Sequence, residues 1–171
     1  MSIFETKRLQ VRRLTLSDLR VFQIMQGNAS VMKYTTGKPQ SPEQSSSDLA
    51  QIIAFYDAEE NETWIWAVTT KAGAFAGTCA LFRNERGENE IAYRLDESCW
   101  DRGYGQELAE GIIDYCLDDL ALEYVVAHAA VDNLASVKIL DRSRLTFVAE
   151  IDNEEKNWVE RHYQSLIEPS G

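Results

Sequence analysis

The stretch Trp100-Asp101-Arg102-Gly103-Tyr104-Gly105-Gln106-Glu107 constrains this chain more than any other. Before it lies the apolar run Ile91-Ala92-Tyr93-Arg94-Leu95, which reads as a strand. After it, Leu108, Ile112, Cys116 and Leu120 recur at helical spacing. A strand, a glycine-containing turn and a helix in that order let backbone N–H groups converge on an anion. Taken alone, Gly103 and Gly105 fit a plain tight turn better than an anion cradle, and only the context reverses that order. The three glycines of a dinucleotide fingerprint are missing, as is any Gly-Lys-Ser or Gly-Lys-Thr triplet of a nucleoside triphosphate loop, so those two anions are excluded.

The surrounding pattern alternates between strand and helix periods. Leu9 to Leu14 reads as a short strand, and Thr15 or Ser17 offers an N-cap to a helix carrying Leu19, Phe22 and Met25. The pattern breaks around Gly37, Pro39 and Pro42, and Ser45 to Tyr56 resumes helical spacing. Trp64 to Thr69, Phe75 to Phe82 and Glu90 to Leu95 are three strands joined by polar turns, which predicts a mostly antiparallel meander. Tyr124 to Ala129 is nearly continuous in apolar character, as expected of a strand buried on both faces near the centre of the sheet. Asp132 or Asn133 caps a short helix with Leu134, Val137 and Leu140 inward. Phe147 to Ile151 and Trp158 to Leu166 close the sheet around a turn at Asp152 to Asn157. The result is an α+β, or mixed α/β, sandwich with a twisted, mostly antiparallel central sheet flanked by helices. With 171 residues and no linker, residues 1–171 are expected to form a single domain.

Charge narrows the partners. Seventeen Lys and Arg against 28 Asp and Glu leave a net charge of −11, which repels phosphate backbones and attracts cations, so amines are favoured over nucleic acid. Cys79, Cys99 and Cys116 lack metal-ligand spacing and sit in apolar surroundings, as buried thiols do; no metal is expected and a reducing cytoplasm fits. No apolar run is long enough to span a bilayer, and Met1 to Glu5 lacks the basic and apolar segments of a leader, so no membrane partner is expected. A homodimer is compatible with these features.

Trp100 to Ala109 resembles the acetyl-CoA loop of the GCN5-related N-acetyltransferase superfamily, with Gly103 and Gly105 at the glycine positions. Trp100 stands where the superfamily's Gln or Arg would be. That departure resembles the ribosomal-protein-alanine acetyltransferase branch, as do Glu90-Ile91-Ala92-Tyr93-Arg94-Leu95 and Asn133-Leu134-Ala135-Ser136 followed by Leu140. Arg144-Leu145 departs from the Gly-Phe pair of many members. The resemblance implies an acetyl-CoA-dependent N-acetyltransferase that moves the acetyl group by direct attack of a primary amine, either a protein N-terminus or a small amine such as a polyamine. It implies that N–H groups among Arg102, Gly103, Tyr104, Gly105 and Gln106 hold the pyrophosphate, that the pantetheine arm runs beside Tyr93, Arg94 and Leu95 as an added strand, and that Asn133 hydrogen-bonds that arm. Asn133 serves equally as a helix cap.

Acetyl transfer needs a base for the ammonium and a proton for the thiolate. Glu90 is a candidate base if partial burial raises its pKa, and otherwise a solvated strand-end carboxylate. Glu150, Glu154 and Glu155 are rivals, each also readable as surface charge, and Glu155 is the positional match to the branch. Ser136 sits where the branch often places a serine near the sulfur, as proton donor or as a helix hydroxyl bonded to a carbonyl. The tyrosine that many relatives place four residues later is Leu140 here. His128 and His162 have no partner spacing for a metal or a triad and read as structural, while Tyr163 could reach the site from the last strand. Trp64 and Trp66 read as core, and Asp114, Asp118 and Asp119 as a solvated helix face. An acyl-CoA-binding regulatory module without a competent base is the alternative of another class, and an unused anion nest the plainest one.

Overall fold

Alternating side chains and well-placed caps account for most of the architecture in the computed structural model, which describes residues 1–167. Two strands, β1 (Ser2–Glu5) and β2 (Leu9–Arg13), lead into α1 (Leu19–Gln26), α2 (Ala29–Met32) and α3 (Pro42–Phe55). The meander β3 (Thr63–Thr70), β4 (Phe75–Arg83) and β5 (Asn89–Leu95) follows, then α4 (Tyr104–Asp114), β6 (Val126–Ala130), α5 (Leu134–Asp141), β7 (Leu145–Asn153) and β8 (Trp158–Ser165). The eight strands form one sheet in the order β1-β2-β3-β4-β5-β6-β8-β7. Every neighbouring pair is antiparallel except β5 and β6, which run parallel and meet at the single pair Glu90 and Val126. The mostly antiparallel expectation holds; β6 is an interior strand, buried at four of its five residues, but lies sixth in the order rather than at the centre.

Neighbouring residues of β5 separate the two helical layers. Tyr93 meets Ser136 of α5, whereas Arg94 meets Gln26 of α1, and successive strand residues point to opposite faces. On the first face, Trp66 packs edge-on against Tyr115 at the end of α4, and Phe4 stacks on the same ring at 5.1 Å. Leu108, Ile112 and Cys116 reach the core at full burial, each such side chain contributing roughly 1.5–3 kcal/mol through area removed from water.

Several local details differ from the pattern read in the sequence. Helix α3 begins at Pro42 rather than Ser45, because Ser41 caps it and exchanges hydrogen bonds with Gln44 in a capping box. The one-turn helix α2 and strand β1 carry too few apolar positions to show a period. The helix after the glycine turn widens into a π-turn at Tyr115–Asp119, which rotates Leu120 off the buried face and leaves it exposed. Leu134, expected inward on α5, is 74% exposed, while Leu140 is buried. Helix α5 ends on Arg142 in the right-handed region, so no left-handed glycine is needed; Arg144 instead pairs with Asp114 and Asp118 at 2.7 and 3.0 Å, and two of the three acids read as solvated are thereby partnered. All three cysteines are buried and free, and among the described residues no helix is long and apolar enough to cross a membrane.

Candidate active site

Where β5 and β6 part beyond their one pair, a cleft of about 1680 Å³ opens between the two halves of the sheet. The alternation of the strand decides which backbone groups look into it. The Asp96 N–H donates to Ala76, and Arg94 faces Thr78, so the main-chain groups of Arg94 point to β4 while those of Tyr93 and Leu95 point into the parting. The Leu95 carbonyl is already taken by the Trp100 indole N–H at 3.0 Å. Tyr93 and Leu95 therefore present an open strand edge, and Trp100 fixes the turn that follows. Arg94 departs from expectation: its backbone is committed to β4, and its guanidinium donates to Gln26 Oε1 and lies 3.7 Å from Met32 Sδ. Burial pulls its pKa down to about 10, so it stays charged at neutral pH.

The α4 N-terminus is built differently from those of α2, α3 and α5. Asn28, Ser41 and Asn133 cap their helices with side chains, but the residue before Tyr104 is Gly103, in the left-handed region at φ +78°, with no side-chain cap. The first-turn N–H groups of Tyr104, Gly105 and Gln106 have no intrahelical acceptor, which leaves them free for an anion. That cradle fits a coenzyme A pyrophosphate. Four hydrogen bonds hold it in shape. Glu107 accepts from the Arg8 N–H and Nε, both at 2.7 Å, and from Thr6 Oγ1 at 2.5 Å, while Arg8 Nη1 donates to the Arg102 carbonyl at 2.8 Å. Burial acts to raise the Glu107 pKa, but the Thr6 and Arg8 hydrogen bonds outweigh it and hold the carboxyl below its ordinary value. Arg102 itself is exposed and off the cleft wall, with its carbonyl turned to Arg8. Gln106 donates through its side chain to the Ile139 carbonyl at 3.2 Å and so ties α4 to α5.

On the α5 side, Asn133 accepts from the Ser136 N–H at 3.3 Å, so its carbonyl oxygen serves as the cap. Ser136 Oγ lies 3.2 Å from the Tyr93 hydroxyl, and both line the cleft. Burial, only partly offset by the Ser136 hydrogen bond, pushes the Tyr93 phenol up to about 12, so it remains an O–H donor throughout the neutral range.

At the other end the wall is acidic, with Glu85, Glu90, Asp152, Glu154, Glu155 and Glu160 all lining it. Glu90 has its side chain 18% exposed and accepts from Asn84 Nδ2 at 3.1 Å. Glu155 is exposed on the turn between β7 and β8, and Glu150 faces Arg161 at 3.9 Å rather than the cleft. Tyr163 is fully buried, donating to Asp141 and accepting from Arg161, both at 2.8 Å, and does not reach the site. Tyr34 arches over the cleft, its hydroxyl on the Asp132 carbonyl at 3.1 Å and its ring 6.2 Å from that of Trp158.

The two histidines, read as structural and without partners, form a chain with Glu90. His128 Nδ1 stands 3.1 Å from Glu90 Oε1, and His128 Nε2 stands 2.7 Å from His162 Nδ1. The three residues lie on separate strands, so no spacing in the sequence could have joined them. Arg8 was missed for the same reason, its contacts lying 94 and 99 residues away.

The geometry agrees with the comparisons. The family model of the acetyltransferase (GNAT) domain matches residues 8–146. An N-acetyltransferase termed p20 from Bacillus licheniformis, itself uncharacterised, is 27% identical over 143 residues, which is 82% of this chain and 80% of that protein. Among solved structures, the ribosomal L7/L12 α-N-protein acetyltransferase RimL in complex with coenzyme A is similar at a TM-score of 0.80 and 17% identity, covering 98% of both chains. The spermidine N-acetyltransferase from Vibrio cholerae in complex with coenzyme A and spermine is similar at 0.78 and 19% identity, covering 93% of this chain and 95% of that one. With the family match spanning most of its length, the chain belongs to the GCN5-related N-acetyltransferase family, whose members are acetyl-CoA-dependent acetyltransferases.

Proposed function

We propose that this protein acetylates a cationic primary amine, a polyamine or other small amine or a protein N-terminus, by direct attack within the cleft. One observation carries the reading: the uncapped α4 N-terminus and the acidic wall around Glu90 open into the same cleft. Acetyl-CoA, when bound, supplies an acyl group activated as a thioester. The N–H groups of Gly103 to Gln106 hold its pyrophosphate, the open edges of Tyr93 and Leu95 pair with its amide arm, and the free Nδ2 of Asn133 can add a hydrogen bond there. The acidic wall, with Glu155 at its rim, attracts the ammonium. Glu90 takes its proton, being held by Asn84 and shielded from bulk water, whereas Glu155 is freely solvated. Ser136, aligned by Tyr93, delivers a proton to the departing thiolate. The two structural relatives bear names that point to ribosomal protein N-termini and to spermidine, which supports the amine class and leaves both acceptors in it.

Thiol release measured with acetyl-CoA and a panel of spermidine, other small amines and N-terminal peptides tests this. Turnover is expected, faster at low ionic strength and reduced roughly 10²- to 10⁴-fold in Glu90→Gln. Tight coenzyme A binding with no turnover on any amine would overturn it in favour of a regulatory module.

A further inference from the structure

Register brings Glu90, His128 and His162 together at the point where the sheet begins to part. Glu90 pairs with Val126 across β5 and β6, His128 lies two residues further on the same face of β6, and His162 is the direct partner of His128 on β8. Glu90 and His128 line the cleft; His162 lies behind them, 6% exposed. Both ring nitrogens of His128 are engaged, Nδ1 with Glu90 and Nε2 with His162, so the imidazole cannot turn without breaking one of two hydrogen bonds. The Glu90 oxygen it holds, Oε1, also accepts from Asn84, so both contacts fall on one oxygen of a carboxylate that lines the cleft.

We infer that His128 is a positioning residue that controls the base: neutral, it donates Nδ1–H to Glu90 Oε1 and accepts the His162 Nδ1–H, and Glu90 Oε2 is free to take the acceptor's proton; protonated, it weakens Glu90 as a base. The inference rests on the acetyl-transfer reading above and adds a regulator to it. In the working form the ammonium N–H bond breaks, the electron pair stays on nitrogen, and an O–H bond forms at Glu90 Oε2. Acid reverses the arrangement. The added proton binds His162 at Nε2 while the His162 Nδ1 proton passes along the hydrogen bond to His128 Nε2, so that His128 Nε2 becomes the donor and His162 Nδ1 the acceptor, and the imidazolium left beside Glu90 weakens it as a base.

The surrounding groups split the two histidines in the required sense. Burial acts to lower the His128 pKa, but the hydrogen bond and charge of Glu90, with Glu160 of β8 adding, outweigh burial and the repulsion of Arg86 in the β4 to β5 turn, and the value rises. For His162 burial again leads, His128 and Arg86 add to it, and the opposing charges of Glu88 and Glu90 do not compensate, so the value falls. The two imidazoles are therefore split in opposite directions, His128 upward and His162 downward.

The test is the pH dependence of kcat/KM for one amine acceptor, compared in the wild type and in His128→Gln, which can still donate to Glu90 but cannot ionise. Using the same acceptor cancels its own titration. In His128→Gln the acid limb is expected to move to lower pH, with activity at the wild-type optimum within about tenfold and coenzyme A affinity unchanged. An active His128→Gln enzyme whose acid limb superimposes on the wild type would overturn the inference while leaving acetyl transfer intact. Absence of turnover with every amine in the wild type would instead overturn the acetyl-transfer reading, and this inference with it. Imidazole NMR titration of the intact wild-type protein needs no variant: one histidine titrating above and one below the ordinary value supports the coupling, and two histidines titrating together at that value would overturn it.

Discussion

Arg8 Nε and Glu107 Oε1 lie 2.7 Å apart, so the residue that leads into β2 is clamped to the first turn of α4. The pair is half-exposed on the arginine side, which limits its electrostatic value, but Glu107 also satisfies Thr6 and the Arg8 N–H. Glu107→Ala is expected to cost about 1–2 kcal/mol of stability by leaving those donors unpaired, and to weaken coenzyme A binding by roughly tenfold as the cradle loosens. Chemical denaturation and calorimetric titration with coenzyme A measure the two effects.

The same carboxylate predicts an acid sensitivity. Because its folded pKa lies below the unfolded one, Glu107 contributes stability that is present above the ordinary carboxylate value of about 4.3 and is lost as pH falls through the folded value. The stability difference between wild type and Glu107→Gln should therefore be constant from neutral pH down to about pH 5 and shrink below it. A difference that stays flat to pH 3 would contradict the assignment.

Gly77 of β4 sits where a Cβ would come within 2.1 Å of the Arg94 carbonyl oxygen and 2.8 Å of the Leu95 Cα, both backbone atoms of β5, the strand whose opposite edge faces the cleft. Backbone cannot yield as a side chain does. Gly77→Ala should destabilise by about 3 kcal/mol or more and displace the β5 edge. At Gly105 the nearest obstacle is the Ile139 Cδ1 at 2.8 Å, the end of a flexible side chain, so Gly105→Ala should cost about 1 kcal/mol in comparison. Thermal unfolding of the two variants side by side checks the ranking.

The 3.2 Å contact between Ser136 Oγ and the Tyr93 hydroxyl allows the proposed proton donor to be told apart from its proposed support. Ser136→Ala should lower kcat by roughly 10- to 100-fold with little change in KM for the amine, and Tyr93→Phe by less than tenfold, since the serine persists. Equal losses in both variants would place the proton on the phenol instead.

The layout was legible wherever the signal was local. The strand at Glu90 to Leu95, the glycine turn and the buried face of α4 all follow from periods and turn chemistry within 30 residues, and the meander before them from its alternation. What could not be read was contact between distant strands. Glu90 was nominated from its place at a strand end, but its partner His128 comes from another strand, and the identity of that strand's neighbours is a property of the sheet order. Arg94 shows the opposite limit: adjacent to Tyr93 in sequence, it faces the other helical layer, and only the register with Thr78 reveals that its backbone turns away from the cleft. Leu134 and Leu120 failed as inward residues because helix ends, one short and one widened, rotate the apolar stripe.

The single Glu90 and Val126 pair makes the sheet mechanically two plates, five strands on one side and three on the other, joined at one point. Forces between the plates are carried mainly by the packing of α4 against α5 and by whatever fills the gap beyond that joint. A molecule with peptide-like amides bridging Tyr93 and Leu95 to the opposite edge would act as a cross-brace. Amide hydrogen exchange along the inner edges of β5 and β6 should slow markedly when coenzyme A is added, and unfolding should become more cooperative, as expected of a ligand that braces the two plates.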